Sequence, residues 1–400
     1  MQIGRRNFLV TMGLVTGATF AKATPKEDYA LAQEAASISA PSDRFKKVDE
    51  IVGAEFAKEP LASISVGIVQ GADLVWTKSY GQANIEEKQA ATENHIYRIG
   101  SITKQFTAIA FLQLVQKGVI HLTDPVEKYF PEINTVQGKS SWSQPITLLQ
   151  LATHTSGLDR EPGNPEVYTA GAVKDWDKTL IAGLAHTKYL YEPGARQSYS
   201  NVGYSALGAA LGRASGQSYI KYVTENILQP LGLKDTQFEL DPSLTPRLAH
   251  GSETRDGKAD RTVPDRELVT GRGYKVPNGA LFTTIADLGK FVSFELGHGP
   301  KTLVDYAFYE DNQKRIYASD ESLHGGYGLG FGLNRRGNIV LAGHGGSVAG
   351  YTAGAYFHKK SSLGIVFLRN SGRGLGNGAL FDIAEALISP ADLVDHARTI

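Results

Sequence analysis

The chain has no cysteine among its 400 residues, which removes disulfides, thiolate nucleophiles and Cys-ligated zinc from consideration. It has no excess of charge either. Its 41 Lys and Arg are balanced by 41 Asp and Glu, and without a basic footprint no nucleic acid is expected as a partner. The 10 histidines show no His-Glu-x-x-His or comparable ligand spacing, so neither a metal nor another cofactor is expected. No internal repeat is present. The apolar run near the start, from Phe8 to about Phe20, is too short to span a bilayer. What remains is 42% hydrophobic and 20% charged, the composition of a globular protein. At roughly 100–200 residues per domain, the length suits one large domain or two closely packed ones.

Arg5 and Arg6 stand directly before that apolar run, and Ala21-Lys22-Ala23 after it supplies small residues for cleavage. The arrangement resembles a twin-arginine export signal. It implies a signal peptide over residues 1–23, a mature chain from near Thr24, no transmembrane segment after cleavage, and a periplasmic or extracellular location. An uncleaved N-terminal anchor is the alternative. Residues 24–42 are mostly Ala, Ser, Glu and Lys without sustained periodicity, the composition of a flexible spacer.

Phe45, Val48, Ile51, Val52 and Phe56 recur at helical spacing and predict a helix with one inward face. The β-rich runs Ser63–Gln70 and Leu74–Tyr80, separated by Gly71-Ala72-Asp73, read as a hairpin. Thr147 is placed to cap a helix beginning at Leu148. Helical and loop segments dominate from there to about Asp235. Beyond Gly279 the pattern predicts helices over Thr284–Phe294 and Leu380–Ile388, and strands over Ile339–Ala342, Tyr351–Phe357 and Gly364–Leu368. Strands at both ends with helices between them predict an α/β chain of the α+β type. An antiparallel sheet from residues 43–98 and 280–400 is expected to be flanked by helices, with a mostly helical subdomain over 99–279. The stretches Asp159–Lys178 and Gly251–Asn278 read as linkers bordering the site, and Gly372–Gly378 as a flexible turn.

The stretch with the most chemistry is Tyr97-Arg98-Ile99-Gly100-Ser101-Ile102-Thr103-Lys104. Residues i and i+3 of a helix lie about 5–6 Å apart at Cβ, so the Lys104 amine reaches the Ser101 hydroxyl. The apolar run Ile102, Phe106, Ile109, Phe111, Leu112, Leu114 and Val115 predicts a buried helix from about Ser101 to Lys117, ended by Gly118. Ser101 then falls on the first turn, where unpaired backbone N–H groups and the helix dipole face a reacting atom. Burial lowers the pKa of a lysine and frees it to act as a base. A nucleophilic serine follows from that combination. The pattern is short, and Ser218-Tyr219-Ile220-Lys221 repeats it.

Two later stretches give the first copy its context. Tyr199-Ser200-Asn201 projects two polar tips from a turn-rich segment into a helix expected from Val202 to about Ala214. His344-Gly345-Gly346-Ser347 puts glycines beside a strand, where substrate can approach the backbone and an exposed edge N–H can hold an oxyanion. His344 itself can orient a proton network or recognise a carboxylate.

The order Ser-x-x-Lys, Tyr-x-Asn, His-Gly-Gly resembles the serine β-lactamases and penicillin-binding proteins, in which Lys-Thr-Gly occupies the third place. Within that superfamily the chain looks like the class C β-lactamase-related serine hydrolases, among them D-aminopeptidases, D,D-peptidases and carboxylesterases. The stretches Leu151–Leu158, Pro230–Leu233 and Gly279–Leu288 look like further family landmarks, and the likeness covers roughly residues 45 to 390. It implies Ser101 as the acylated nucleophile, Lys104 or Tyr199 as the base, and Tyr199 as proton relay. Asn201 would hold Lys104 and the substrate amide, and the backbone N–H groups of Ser101 and Ser347 would form the oxyanion hole. The substrate would be a small molecule or peptide. Where antibiotic-hydrolysing relatives carry a cation and a threonine hydroxyl, this chain has His344 and Gly345, so peptides, amides or esters are expected ahead of β-lactams.

A competing nucleophile is Ser347, with Asp382 and His396 in the Ser…Asp…His order of the α/β-hydrolases. That elbow must turn from strand into helix, whereas the residues after Ser347 read as strand. A receptor that is acylated without turnover is the reading from a different functional class.

Overall fold

Both ends of the chain build one sheet. The computed structural model describes residues 43–140, 144–318 and 325–393; the expected signal peptide and spacer, residues 1–42, lie outside them. The strands are β1 (Ser63–Gln70), β2 (Asp73–Asn84), β3 (Gln89–Ala90), β4 (Tyr97–Arg98), β5 (Glu253–Arg255), β6 (Lys258–Asp260) and β7 (Phe282–Thr283). They continue with β8 (Tyr317–Ala318), β9 (Gly325–Tyr327), β10 (Gly332–Arg336), β11 (Ile339–Val348), β12 (Tyr351–His358) and β13 (Leu363–Arg369). Nine of them form an antiparallel sheet in the order β3-β2-β1-β13-β12-β11-β10-β9-β8, and β4 pairs with β7, β5 with β6. The hairpin turns at Gly71, whose φ of +60° suits a residue without Cβ. The seam between the two ends is the β1–β13 ladder, running from Ile64 opposite Arg369 to Gln70 opposite Leu363.

The longer helices are α1 (Asp43–Ala57), α2 (Thr103–Gln116), α3 (Trp176–Leu184), α4 (Asn201–Ser215), α5 (Thr262–Thr270), α6 (Ile285–Glu295), α7 (Tyr306–Gln313) and α8 (Asn377–Leu387). Every residue of β13 is buried, because helices cover the sheet on both faces and leave no polar side for alternation. Val48, Val52 and Ile383 of α1 and α8 pack with Ile365 and Phe367 on one face. Leu288, Phe291 and Val292 of α6 pack with Val366 and Leu368 on the other. Helix α2 is buried continuously from Thr103 to Leu114, and its Phe106 stacks on Phe291 at 4.3 Å. Burying each such ring contributes about 1.5–3 kcal/mol, with about 0.5–1.5 more from the stacked geometry.

The expected helices and hairpin are present, and Thr147 caps Leu148–Ala152 in a reciprocal box with Gln150. Three features differ from expectation. The strand expected to end at Ala342 runs on to Val348 through the glycines. Strands β8 to β10 were not expected, since these short segments join the sheet through backbone pairing without apolar alternation. The supposed linker 251–278 holds the β5–β6 hairpin and α5, and 159–178 holds the short helix Pro165–Tyr168.

Candidate active site

The Ser-x-x-Lys motif sits on two kinds of helix. Gly100–Ile102 forms a 3₁₀ turn and α2 starts at Thr103, so Ser101 stands one turn ahead of the α-helix where the sequence predicts its first turn. The cause is Gly100, whose φ of +49° lets the chain turn sharply out of β4. Leu281 clamps the turn from behind: its carbonyl accepts from Ile99 N at 3.0 Å, and its N–H donates to Thr103 Oγ1 at 3.2 Å. Lys104 points back from α2, fully buried, with Nζ 3.2 Å from Ser101 Oγ. Asn201 Oδ1 at 2.8 Å and the Asn278 carbonyl at 3.0 Å complete its surroundings. Burial holds the Lys104 amine well below its ordinary pKa; Glu161 opposes this, and Arg160, Lys275 and Arg272 reinforce it.

The second Ser-x-x-Lys shows what burial decides. Ser218 caps the short helix Tyr219–Val223 by accepting from Lys221 N, while the Lys221 side chain is 60% exposed beside Glu225.

Tyr199 and Asn201 reach the motif from the start of α4. The cap of α4 is Ser200, which accepts from Gly203 N. That frees the Asn201 amide to bridge Lys104 and Glu161, with Nδ2 donating to Glu161 Oε1 at 2.6 Å. Burial raises the pKa of the Tyr199 phenol, and the neighbouring Ser101 and Arg160 oppose that rise. The Tyr199 ring packs 4.0 Å from the ring of His154 and 4.8 Å from Lys104 Nζ. His154 has a φ of +58°, uncommon for a residue with a side chain. Its Nδ1 accepts from Ser200 N and its carbonyl from Ser198 N, so this buried ring holds the Tyr199 segment in place.

His344 to Ser347 lie on β11. They were expected on a sheet edge; β11 is an interior strand, yet its ladder with β10 ends at Gly343. The side vacated by β10 is filled by the Ile99–Ser101 turn. A Cβ on Gly346 would stand 1.8 Å from the Ile99 carbonyl oxygen and 3.3 Å from Ser101 N, and one on Gly100 would stand 2.8 Å from Ser347 N. Both glycines are therefore needed for the backbones to meet. Gly345 lies between them and His344, and its carbonyl accepts from His344 Nδ1 at 2.5 Å.

His344 does not present a free nitrogen. With Nδ1 bonded to Gly345, Nε2 takes the Tyr327 hydroxyl at 3.1 Å. Burial, with Lys104 adding to it, pushes the imidazole down to about 3, so it is neutral. Carboxylate recognition by a charged His344 is thus not what this geometry offers.

The Ser347 alternative fails on backbone and partners. β11 leads by a tight turn into β12, not into a helix, and Asp382 pairs with Arg336 at 2.8 Å; His396 lies outside the described residues. Among the described residues no cluster of three or more His, Asp or Glu could hold a metal ion.

Four contributors escaped the sequence reading as site residues: Glu161, Asn278, Tyr327 and Arg160. Arg160 lies at the rim, its side chain 67% exposed and its guanidinium 4.9 Å from the Tyr199 ring. Asn278 stands directly before the Gly279–Leu288 landmark, which was a usable signal. Nothing local marks the other three.

A serine and a buried lysine thus meet at the junction of a helical region and an antiparallel sheet. The chain belongs to the beta-lactamase family, whose model matches residues 48–388. The superfamily consists generally of serine hydrolases, and the mixed α/β architecture is the β-lactamase/transpeptidase fold. Among similar proteins are Beta-lactamase-like protein 2 of Dictyostelium discoideum, 30% identical over 81% of this chain and 58% of that protein, and Protein flp of Staphylococcus aureus (strain N315), 26% identical over 82% and 64%. This chain thus spans about three-fifths of the length of the curated relatives it matches. A solved structure, the octameric penicillin-binding protein homologue from Pyrococcus abyssi, superposes with a TM-score of 0.72 at 27% identity, covering 86% of this chain and 77% of that one.

Proposed function

We propose that this protein is an exported serine hydrolase that cleaves peptide, amide or ester bonds through an acyl-enzyme on Ser101, with cell-wall or D-amino-acid peptides as its substrate class and little β-lactamase activity. The observation that carries the reading is the set of partners around Lys104 Nζ: two carbonyl oxygens and one serine hydroxyl. A neutral amine has two N–H donors and one lone pair. The donors go to Asn201 Oδ1 and the Asn278 carbonyl, and the lone pair faces the Ser101 O–H.

In the acylation step, the Ser101 proton passes to Lys104 as Oγ bonds the substrate carbonyl carbon. The carbonyl oxygen takes the negative charge and is held by the backbone N–H groups of Ser101 and Ser347. The C–N or C–O bond then breaks, Tyr199 gives its proton to the leaving group, and Lys104 passes the proton it took to the Tyr199 phenolate. Tyr199 suits the donor role because burial keeps its phenol protonated. Water attacks the acyl group in the second half, releasing the acid and restoring the Ser101 hydroxyl.

The neutral state of His344 supports uncharged peptides and esters ahead of β-lactams, whose carboxylate needs a cation. Arg160 is the cation at the rim of Tyr199, and it is assigned the carboxylate of any acidic substrate. The test is a comparison of two serines. Ser101→Ala should abolish hydrolysis of p-nitrophenyl butyrate and of a D-amino-acid peptide, and abolish the acyl adduct seen by intact mass, while Ser347→Ala leaves most activity. Full activity in Ser101→Ala would overturn the reading, and a cephalosporin as the best substrate would overturn the substrate class.

A further inference from the structure

Away from Ser101, a cleft of about 550 Å³ opens between β4, β7, the Phe238–Leu248 segment and the end of α5. Its floor is unusual in charge. Arg98 Nη2 at 3.0 Å and Arg272 Nη1 at 2.6 Å converge on the same oxygen of Glu267, so two guanidinium ions share one carboxylate. Arg98 is 2% exposed and Arg272 8%. Arg98 Nε and Nη1 and Arg272 Nε find no hydrogen-bond partner among the described residues. The rings of Phe282 and Tyr351, 5.9 and 5.8 Å from the Arg98 guanidinium, attract its charge but accept no N–H in the way an oxygen does. Burial, with Arg272 beside it, presses Arg98 down to about 10. A buried, undercompensated cation is costly to maintain. Around it Phe238, Leu240, Leu248 and Phe282 give the cleft apolar walls, Thr245, Thr270 and the exposed Glu239 also line it, and Val269, 87% exposed, stands at its edge.

From the surplus positive charge, the orphaned donors and the apolar walls, we infer that this cleft binds a small monocarboxylate with an apolar body. The carboxylate bridges Arg98 and Arg272, supplying the acceptors that Glu267 alone does not, and the body lies against Phe238, Leu240, Leu248 and Phe282. Two guanidinium forks suit a planar carboxylate. The site is separate from Ser101 but not isolated from it. A Cβ on Gly279 would stand 3.3 Å from Arg272 Nη2, and the neighbouring Asn278 carbonyl holds Lys104. A bound acid therefore holds an arginine that lies against the segment carrying the Lys104 partner. The inference is independent of the proposed activity, although the acid product of an ester or peptide cleavage has this chemistry.

The experiment is calorimetric titration of hexanoate into the Ser101→Ala full chain, which retains the cleft whether or not Ser101 is a nucleophile. Saturable binding is expected, with hexan-1-ol at least tenfold weaker. Arg272→Gln and, at the exposed edge, Val269→Asp should each weaken hexanoate at least tenfold, and Val269→Asp should do so with an unchanged melting temperature. No saturable binding, or binding that both variants leave intact, overturns the inference. Inorganic phosphate binding as tightly as hexanoate overturns the monocarboxylate assignment.

Discussion

Adding one methyl group at Gly346 should separate catalysis from stability. The Cβ of Gly346→Ala would stand 1.8 Å from the Ile99 carbonyl oxygen, and real Cβ atoms essentially never come within 3.0 Å of another heavy atom, so β11 and the Ser101 turn must part by at least 1.2 Å. The obstacle is backbone on both sides, which no side-chain rotation relieves. Separation moves Ser347 N away from Ser101 N, and the two no longer converge on one oxygen. Loss of one oxyanion donor costs about 10²–10³ in kcat, or about 2.7–4 kcal/mol, and misplacement by about 1 Å alone can cost about 10²-fold. Overpacking costs stability by about 1–3 kcal/mol, which a well-folded domain tolerates. Ester hydrolysis by Gly346→Ala, measured beside its circular dichroism and melting curve, should therefore fall at least 100-fold in kcat with the fold retained. Ser347→Ala, altering an exposed side chain and no backbone, should stay within a few-fold of the parent. A folded Gly346→Ala within tenfold of the parent would refute the placement of the oxyanion hole between these backbones.

Glu161 carries negative charge toward Lys104 and is the only carboxylate among the leading influences that raises its pKa. Acylation needs the neutral amine, so the rate falls on the acid side as pH drops through the Lys104 pKa; Glu161→Gln should move that limb to lower pH, read from kcat/KM against pH, and an unmoved limb would argue against Lys104 as the base. Asn201→Ala removes an acceptor from a buried amine, which should cost about 1–3 kcal/mol in a denaturant melt and lower kcat at least tenfold. Arg160→Ala should raise KM for peptides ending in a free carboxylate and leave p-nitrophenyl butyrate unchanged; equal effects on both would remove Arg160 from substrate recognition.

Much of the chemistry was readable from spacing alone because it is local. Ser101 and Lys104 lie three residues apart on consecutive helical turns, and no other part of the fold is needed to bring their side chains together. Gly71 at its positive φ, the Thr147–Gln150 box and the Gly118 stop are likewise short-range, so the hairpin and the helix ends follow from neighbours in sequence. Glu161 offered no such handle. It acts on Lys104 through the Asn201 amide, 40 residues away from Glu161 in the chain, and only folding aligns the three. Tyr327 is similar: it lies on the short strand β9, whose place is set by backbone pairing with β10, and it occupies His344 Nε2 from across the sheet.

What the amino-acid order determined by itself was therefore the pairing of Ser101 with the Lys104 amine, the alternation of sheet and helix, and a chain without thiol chemistry. The tertiary structure decided which Ser-x-x-Lys is buried, since Lys104 is sealed in the core while Lys221 stands in water. It also decided that His344 is neutral and doubly occupied, and that Gly346 meets the Ile99–Ser101 turn closely enough for two distant backbones to pack against each other. The physical reason is that spacing along a helix places side chains within one turn, whereas desolvation and the approach of separate strands depend on everything packed around them.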